Sequence, residues 1–288
     1  MSTQMFSIPD PLEVAYRSVL SRLIRSWLPV KLADISDSYW LQELANISTR
    51  KSIISESTKV ALNLITRVNV INMKDWRAAS LKSTRSDVLH QLLSHELSGR
   101  LGVRVKELIN ENALYIADIP RVVSNELAQE IANAQQAGNR PETIVKILRM
   151  RFPLIMNSKI QTLARTQSSS AGTALTRARC EDLDIPCFIW ENSHDRRVRP
   201  SHRNMQGVVV FWKDLPSPEA LIGLKDSLGH YAAGDCINCR CISLPVLTVE
   251  DIFSKKVSLA KVYHHGSLEI MSRAKFISLS GIESRMAA

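Results

Sequence analysis

The stretch GDCINCRC, residues 234–241, places three of the chain's five cysteines within six positions. Cys236 and Cys239 have the Cys-x-x-Cys spacing of a zinc-binding knuckle. Cys239 and Cys241 lie two apart, so on an extended strand both thiols face one side and Arg240 the other. Zinc takes four ligands, and His202, Cys236, Cys239 and Cys241 have the donor chemistry of one structural zinc. His194, His230 and Cys187 are the further candidates. Two other uses fit the same residues: free thiols in a buried turn, and redox or nucleophilic chemistry. A thioredoxin-like site fits least, because that motif opens a helix in a parallel α/β unit and no such unit is legible. The odd cysteine count speaks against a disulfide framework.

A second cluster, WENSHDRRVRPSHRNMQG, spans residues 190–207 and holds four arginines and two histidines between 194 and 203. Asp195 beside Arg197 and Arg199 suits a turn held by charge-assisted hydrogen bonds. Pro200 restricts the chain before His202, and Gly207 suits a positive-φ turn before the run VVVFW. Arg196, Arg197, Arg199 and Arg203 form the densest basic patch and are the candidate nucleic-acid contacts. Asp195, His202 and a cysteine would also make an orienter, base and nucleophile set, if the fold brought them together. A histidine-and-zinc nuclease would need a ββα unit after His202, and none reads cleanly there.

The elements that must position these residues change in character along the chain. Residues 1–155 read as a helical region. Asp10 caps a helix with Pro11 at its first position, and Leu12, Leu20, Leu23 and Ile24 recur at helical spacing. STKVALNLITRVNVI, opening at Ser57, reads as a second helix. SDVLHQLLSHELSGRLG reads as another, capped by Ser86 and ended by Gly102; His90 and His95 lie near its leucine stripe as packing or solvent-facing residues. VRVKELINENALYIADIP and SNELAQEIANAQQAGN follow as two helices, the second capped by Ser124 and stopped by Gly138. RPETIVKILRMRF reads as a helix that stops before Pro153. Residues 156–183 form a long helix whose middle, SSSAGTA, is unusually small, so a sheet should pack closely on it. CFIWEN, GVVVFW and NCRCISLPVL are short β-rich runs, with a proline- and glycine-bearing loop at 213–235. Residues 156–248 thus read as a small β-sheet domain built on a long helix. Residues 249–288 read as an amphipathic C-terminal extension, capped at Thr248, which either docks on its own domain or needs a neighbour. The fold class expected is α+β.

The chain of 288 residues is 45% hydrophobic and 23% charged, enough apolar side chain for a real core. Net charge is +9 and the pI about 9.5. A surplus spread this thinly suits proximity to nucleic acid without sequence readout, or a stand-alone DNA-binding module. Aromatics are 6%, too few to advertise stacking platforms for single strands. No apolar run approaches the ~18 residues of a membrane span. MSTQMFSIPDP lacks the basic and apolar regions of a signal peptide, so synthesis in the cytoplasm is expected.

Taken in order, LARTQ on a helix, Trp190 shortly before Asp195, DRRVRPSH, MQG, a proline-bearing loop and INCRC resemble the phage Mu F-like minor head proteins, the phage head morphogenesis family. The resemblance covers residues 156–245. It implies a virion or procapsid protein inside the head near the portal vertex, made in the host cytoplasm. The portal protein, other head components and packaged double-stranded DNA are the implied partners, and head assembly with DNA packaging or delivery the implied role. The same resemblance puts the weight on Asp195, Arg197, Arg199, His202, Gly207, Asn238, Cys239, Arg240 and Cys241. Cys236 stands outside the family pattern, which counts against the four-ligand zinc set. The reading that follows is a non-enzymatic head protein. The alternative is a metal- or cysteine-dependent hydrolase or nuclease acting on phage or host nucleic acid.

Overall fold

The computed structural model describes residues 5–28, 38–81 and 100–282. The expected helix around His90 and His95 lies outside them. The fold is α+β: helices α1 (Asp10–Trp27), α2 (Ser38–Ile47), α3 (Lys51–Ser80), α4 (Arg100–Gln136) and α5 (Pro141–Asp182) precede a five-stranded mixed sheet. Strands β1 (Cys187–Glu191), β2 (Val209–Phe211), β3 (Ile242–Pro245), β4 (Leu259–His264) and β5 (Ser267–Ser272) build that sheet. Short helices α6 (Pro200–Asn204) and α7 (Arg273–Ser280) flank strands β2 and β5. Among the described residues no helix is long and apolar enough to cross a membrane.

The chain divides into two compact units. One contains residues 10–65 and 107–167; the other contains the described residues of 1–9, 66–106 and 168–288. The first unit is helical. Leu12, Tyr16, Leu20, Ile24 and Trp27 recur every three or four residues along α1 and are all buried, the stripe by which an amphipathic helix joins a core. Tyr16 donates to Asn112 Oδ1 at 2.7 Å, and Asn112 Nδ2 donates to Gln167 Oε1 at 3.0 Å, so the buried Tyr16 hydroxyl and Asn112 amide are partnered.

Three helices are longer than their punctuation predicts. The two helices expected between Val103 and Asn139 are one, α4, with Pro120 inside it. Gly102 lies within that helix, and Ser124 is no cap: its hydroxyl donates to Leu41 O at 2.7 Å. The helix expected to stop before Pro153 runs through it as α5. A proline inside a helix costs about 3 kcal/mol. Ile116, Ile119, Val123 and Leu127 are buried across Pro120, and Phe152, Ile155, Met156 and Ile160 across Pro153. Each such side chain contributes roughly 1.5–3 kcal/mol, so packing outweighs the break. The helix expected from Ser57 likewise begins at Lys51, with Ser57 buried inside it. Gly138 does end α4, at φ +74 with its N–H on Gln135 O.

The second unit carries the sheet, ordered β3-β1-β2-β4-β5. β1 is antiparallel to β2 and β3, β2 is parallel to β4, and β4 is antiparallel to β5. The stretch after residue 248, expected as an amphipathic extension, supplies two of the five strands. Strand parity sorts the side chains. Phe188, Trp190, Val210 and Tyr263 enter a core that includes Trp76, Ala79 and Cys180 from the helices. Cys187, Val209 and Val262 enter the opposite core with Phe253, Met271 and Phe276.

The small residues of α5 do what their size suggests, though against a loop rather than a strand. Thr173 donates to Ala233 O at 2.7 Å, and Ser170 to Asp235 Oδ1. Gly234 has φ +91 and sits so close that a Cβ there would meet Thr173 Oγ1, and Cys241 O at 2.8 Å. The segment that carries the cysteines is therefore laid directly on α5.

Candidate metal centre beneath the loop 231–241

His202, Cys239 and Cys241 meet on the helix-covered face of the sheet. All three are buried, and their donor atoms lie within 4.8 Å of one another. His202 Nδ1 is 3.5 Å from Cys239 Sγ and 3.4 Å from Cys241 Sγ. The expected pairing of the two thiols is real, but its expected cause is not. Residues 236–239 form a turn, 239–241 are irregular, and the strand begins at Ile242. The turn closes through the Cys239 amide on Cys236 O at 3.0 Å, and Asn238 takes the left-handed conformation at φ +56. The Cys241 amide then donates to Cys239 Sγ at 3.3 Å.

The other edge of the imidazole is held by residues that spacing gave no reason to single out. His202 Nε2 lies 3.0 Å from the Tyr231 hydroxyl, which donates to Glu219 Oε1 at 2.7 Å. Ser201 donates to the same oxygen at 3.1 Å. A tyrosine has one hydroxyl proton; given to Glu219, it leaves the oxygen to accept from Nε2–H. Nδ1 is thereby aimed at the sulfurs. Burial alone would raise the Glu219 carboxyl, but the bonds from Tyr231, its own backbone and Ser201 hold it below the usual range, as an ionised acceptor. The Trp190 ring stands edge-on to His202 with centroids 5.4 Å apart.

Burial opposes a charge on His202, yet the Cys236 and Cys239 thiols beside it raise it to about 9. Cys239 is pulled down by the thiol of Cys241 and then by His202; Cys241 is pushed up by the same thiol contact and by burial. The pocket thus favours one thiolate beside one imidazolium when protons fill it.

Cys236 lies against His202 and Tyr231, outside the three-donor group. Arg199 Nη1 donates to its sulfur at 3.0 Å and Nη2 to Ile237 O at 2.8 Å. The remaining ligand candidates sit elsewhere. Cys187 points to the opposite core, because it neighbours Phe188 on a pleated strand. His194 is exposed and contacts Glu191; His230 is exposed with Nδ1 on Leu215 O.

Asp195 does not orient His202. It accepts from the Arg197 amide at 2.7 Å and from Arg240 Nη1 at 3.1 Å. Arg240 therefore pins the cysteine turn to the 195–197 turn, and Arg199, expected on Asp195, serves Cys236 instead. Gly207 makes the expected turn at φ +71, its N–H on Trp190 O at 2.8 Å. Arg196, Arg197 and Arg203 are exposed, with Arg203 Nη2 on Arg196 O at 3.1 Å.

Residues 125–244 match the family described as Phage Mu protein F like protein. This region of the chain is Mu F-like. The match runs from within α4 through the cysteine turn to β3 and holds every residue of the cluster. The chain is also 38% identical over 85 residues, 30% of its length, to an uncharacterized protein of Haemophilus influenzae. The alignment spans 17% of that relative. No solved structure matches the chain.

Proposed function

We propose that the protein is a minor head component of a bacteriophage that associates with the portal vertex and assists head assembly and the packaging or delivery of DNA. The family match over the whole cysteine and histidine cluster carries this reading. The site supports it, because its contacts tie a helix, two turns and a sheet together. His202 is 2% exposed, Cys239 3% and Cys241 4%, burial that disfavours the hydrolase or nuclease alternative. The exposed arginines 196, 197 and 203 and the net charge of +9 suit contact with packaged duplex DNA.

The test is sedimentation of the purified full chain with portal rings from the same phage. Co-sedimentation that saturates at a fixed ratio is expected. Recovery of the protein entirely in the unbound fraction, as monomer and as oligomer, overturns the portal assignment.

A further inference from the structure

We propose that this cluster is a structural Zn²⁺ site, with His202 Nδ1 and the thiolates of Cys239 and Cys241 as three ligands and Cys236 as the fourth. The inference is independent of the head-assembly reading. Tetrahedral zinc with Zn–S near 2.3 Å and Zn–N near 2.0–2.1 Å separates sulfur and nitrogen ligands by about 3.6 Å. The two Nδ1 to Sγ separations are 3.5 and 3.4 Å, so the edges of that tetrahedron already exist. Burial of all three donors matches a closed structural site.

The surroundings point the same way by independent contacts. A metal-bound histidine characteristically gives its other ring N–H to a carboxylate or its relay, which fixes the tautomer. Tyr231 and Glu219 provide that relay on Nε2. Ligand thiolates characteristically accept amide and guanidinium N–H groups. Cys239 accepts the Cys241 amide, and Cys236 accepts Arg199. Three thiolates and a neutral imidazole on Zn²⁺ leave one negative charge in excess, and the Arg199 guanidinium balances it. The Cys236–Cys239 turn, closed by its own backbone hydrogen bond, carries the two sulfurs as one unit. Cys236 already borders His202, whereas Cys187 is on the far side of the sheet.

The full chain, purified reduced and without chelator from zinc-replete medium, is expected to carry about one zinc per chain by elemental analysis. Exchange with Co²⁺ should give the visible bands of tetrahedral cobalt and a near-ultraviolet thiolate charge-transfer band. Cys236→Ser should weaken that band by about a third, one thiolate of three. His202→Cys should keep a tetrahedral spectrum with a stronger charge-transfer band, a check that survives if other variants fail to fold. Absence of zinc from the wild-type chain together with no charge-transfer band on cobalt titration overturns the site. A Cys236→Ser spectrum identical to wild type overturns Cys236 as the fourth ligand.

Discussion

Tyr231 is the hinge of the buried polar chain from His202 to Glu219. Among the described residues Glu219 Oε2 has no hydrogen-bond partner, so the carboxylate depends on what reaches Oε1. Tyr231→Phe keeps the ring and removes the hydroxyl, leaving His202 Nε2 and half of Glu219 buried without it. The expected cost is about 1–3 kcal/mol, read from the urea unfolding midpoint. If the site holds zinc, the same variant should also bind it roughly 10–100-fold more weakly. Asp195 gives a pH-dependent counterpart. Burial would raise its carboxyl, but the Arg197 amide and the Arg197 and Arg240 guanidiniums outweigh that and hold it below the usual range. A carboxyl lowered in the folded state adds stability above its unfolded pKa of about 3.9 and loses it as pH falls through the lowered value. Asp195→Asn should therefore be less stable than wild type at pH 6, with the gap closing in unfolding curves taken near pH 3. At this scale the sequence named His202, Cys239 and Cys241 by type. It gave no sign of Tyr231 and Glu219, which lie twelve residues apart in an irregular loop and follow no period.

At the scale of elements, the site is shaped by how closely the cysteine loop lies on α5. Gly234 and Gly207 both have positive φ, but only Gly234 has a backbone oxygen and a helix side chain where a Cβ would go. Gly207→Ala should cost about 1–2 kcal/mol, the left-handed penalty alone. Gly234→Ala should cost roughly 3 kcal/mol or more, because the loop must lift from Thr173 or strain against Cys241 O. Urea midpoints of the two variants decide it; equal losses would mean that the close approach carries no energy. The run SSSAGTA predicted a close partner, since small side chains let a backbone approach. The expected partner was the sheet, and a loop fills the place instead, because small side chains admit any backbone that comes close. Pro120 and Pro153 misread as helix ends for a related reason: local punctuation is worth a few kcal/mol and the buried stripes across each proline are worth more.

For the molecule as a whole, the basic surplus and the α+β class are properties of composition and period, and both stand in the sequence. The helices announce themselves because 3.6-residue periodicity is a local pattern. The run of short β-rich segments announces a sheet for the same reason. What the sequence left open is everything set by distance along the chain. His202 and the two thiols are separated by 37 and 39 residues, and β4 joins the sheet, carrying β5 with it, by a parallel pairing with β2 that no local signal encodes. Strand parity then decides that Cys187 faces one core and the three-donor cluster the other. The sequence by itself determined the kinds of residue and the kinds of element. Only the tertiary structure decided which donors meet, because that depends on which face each strand presents and on what lies beneath the loop.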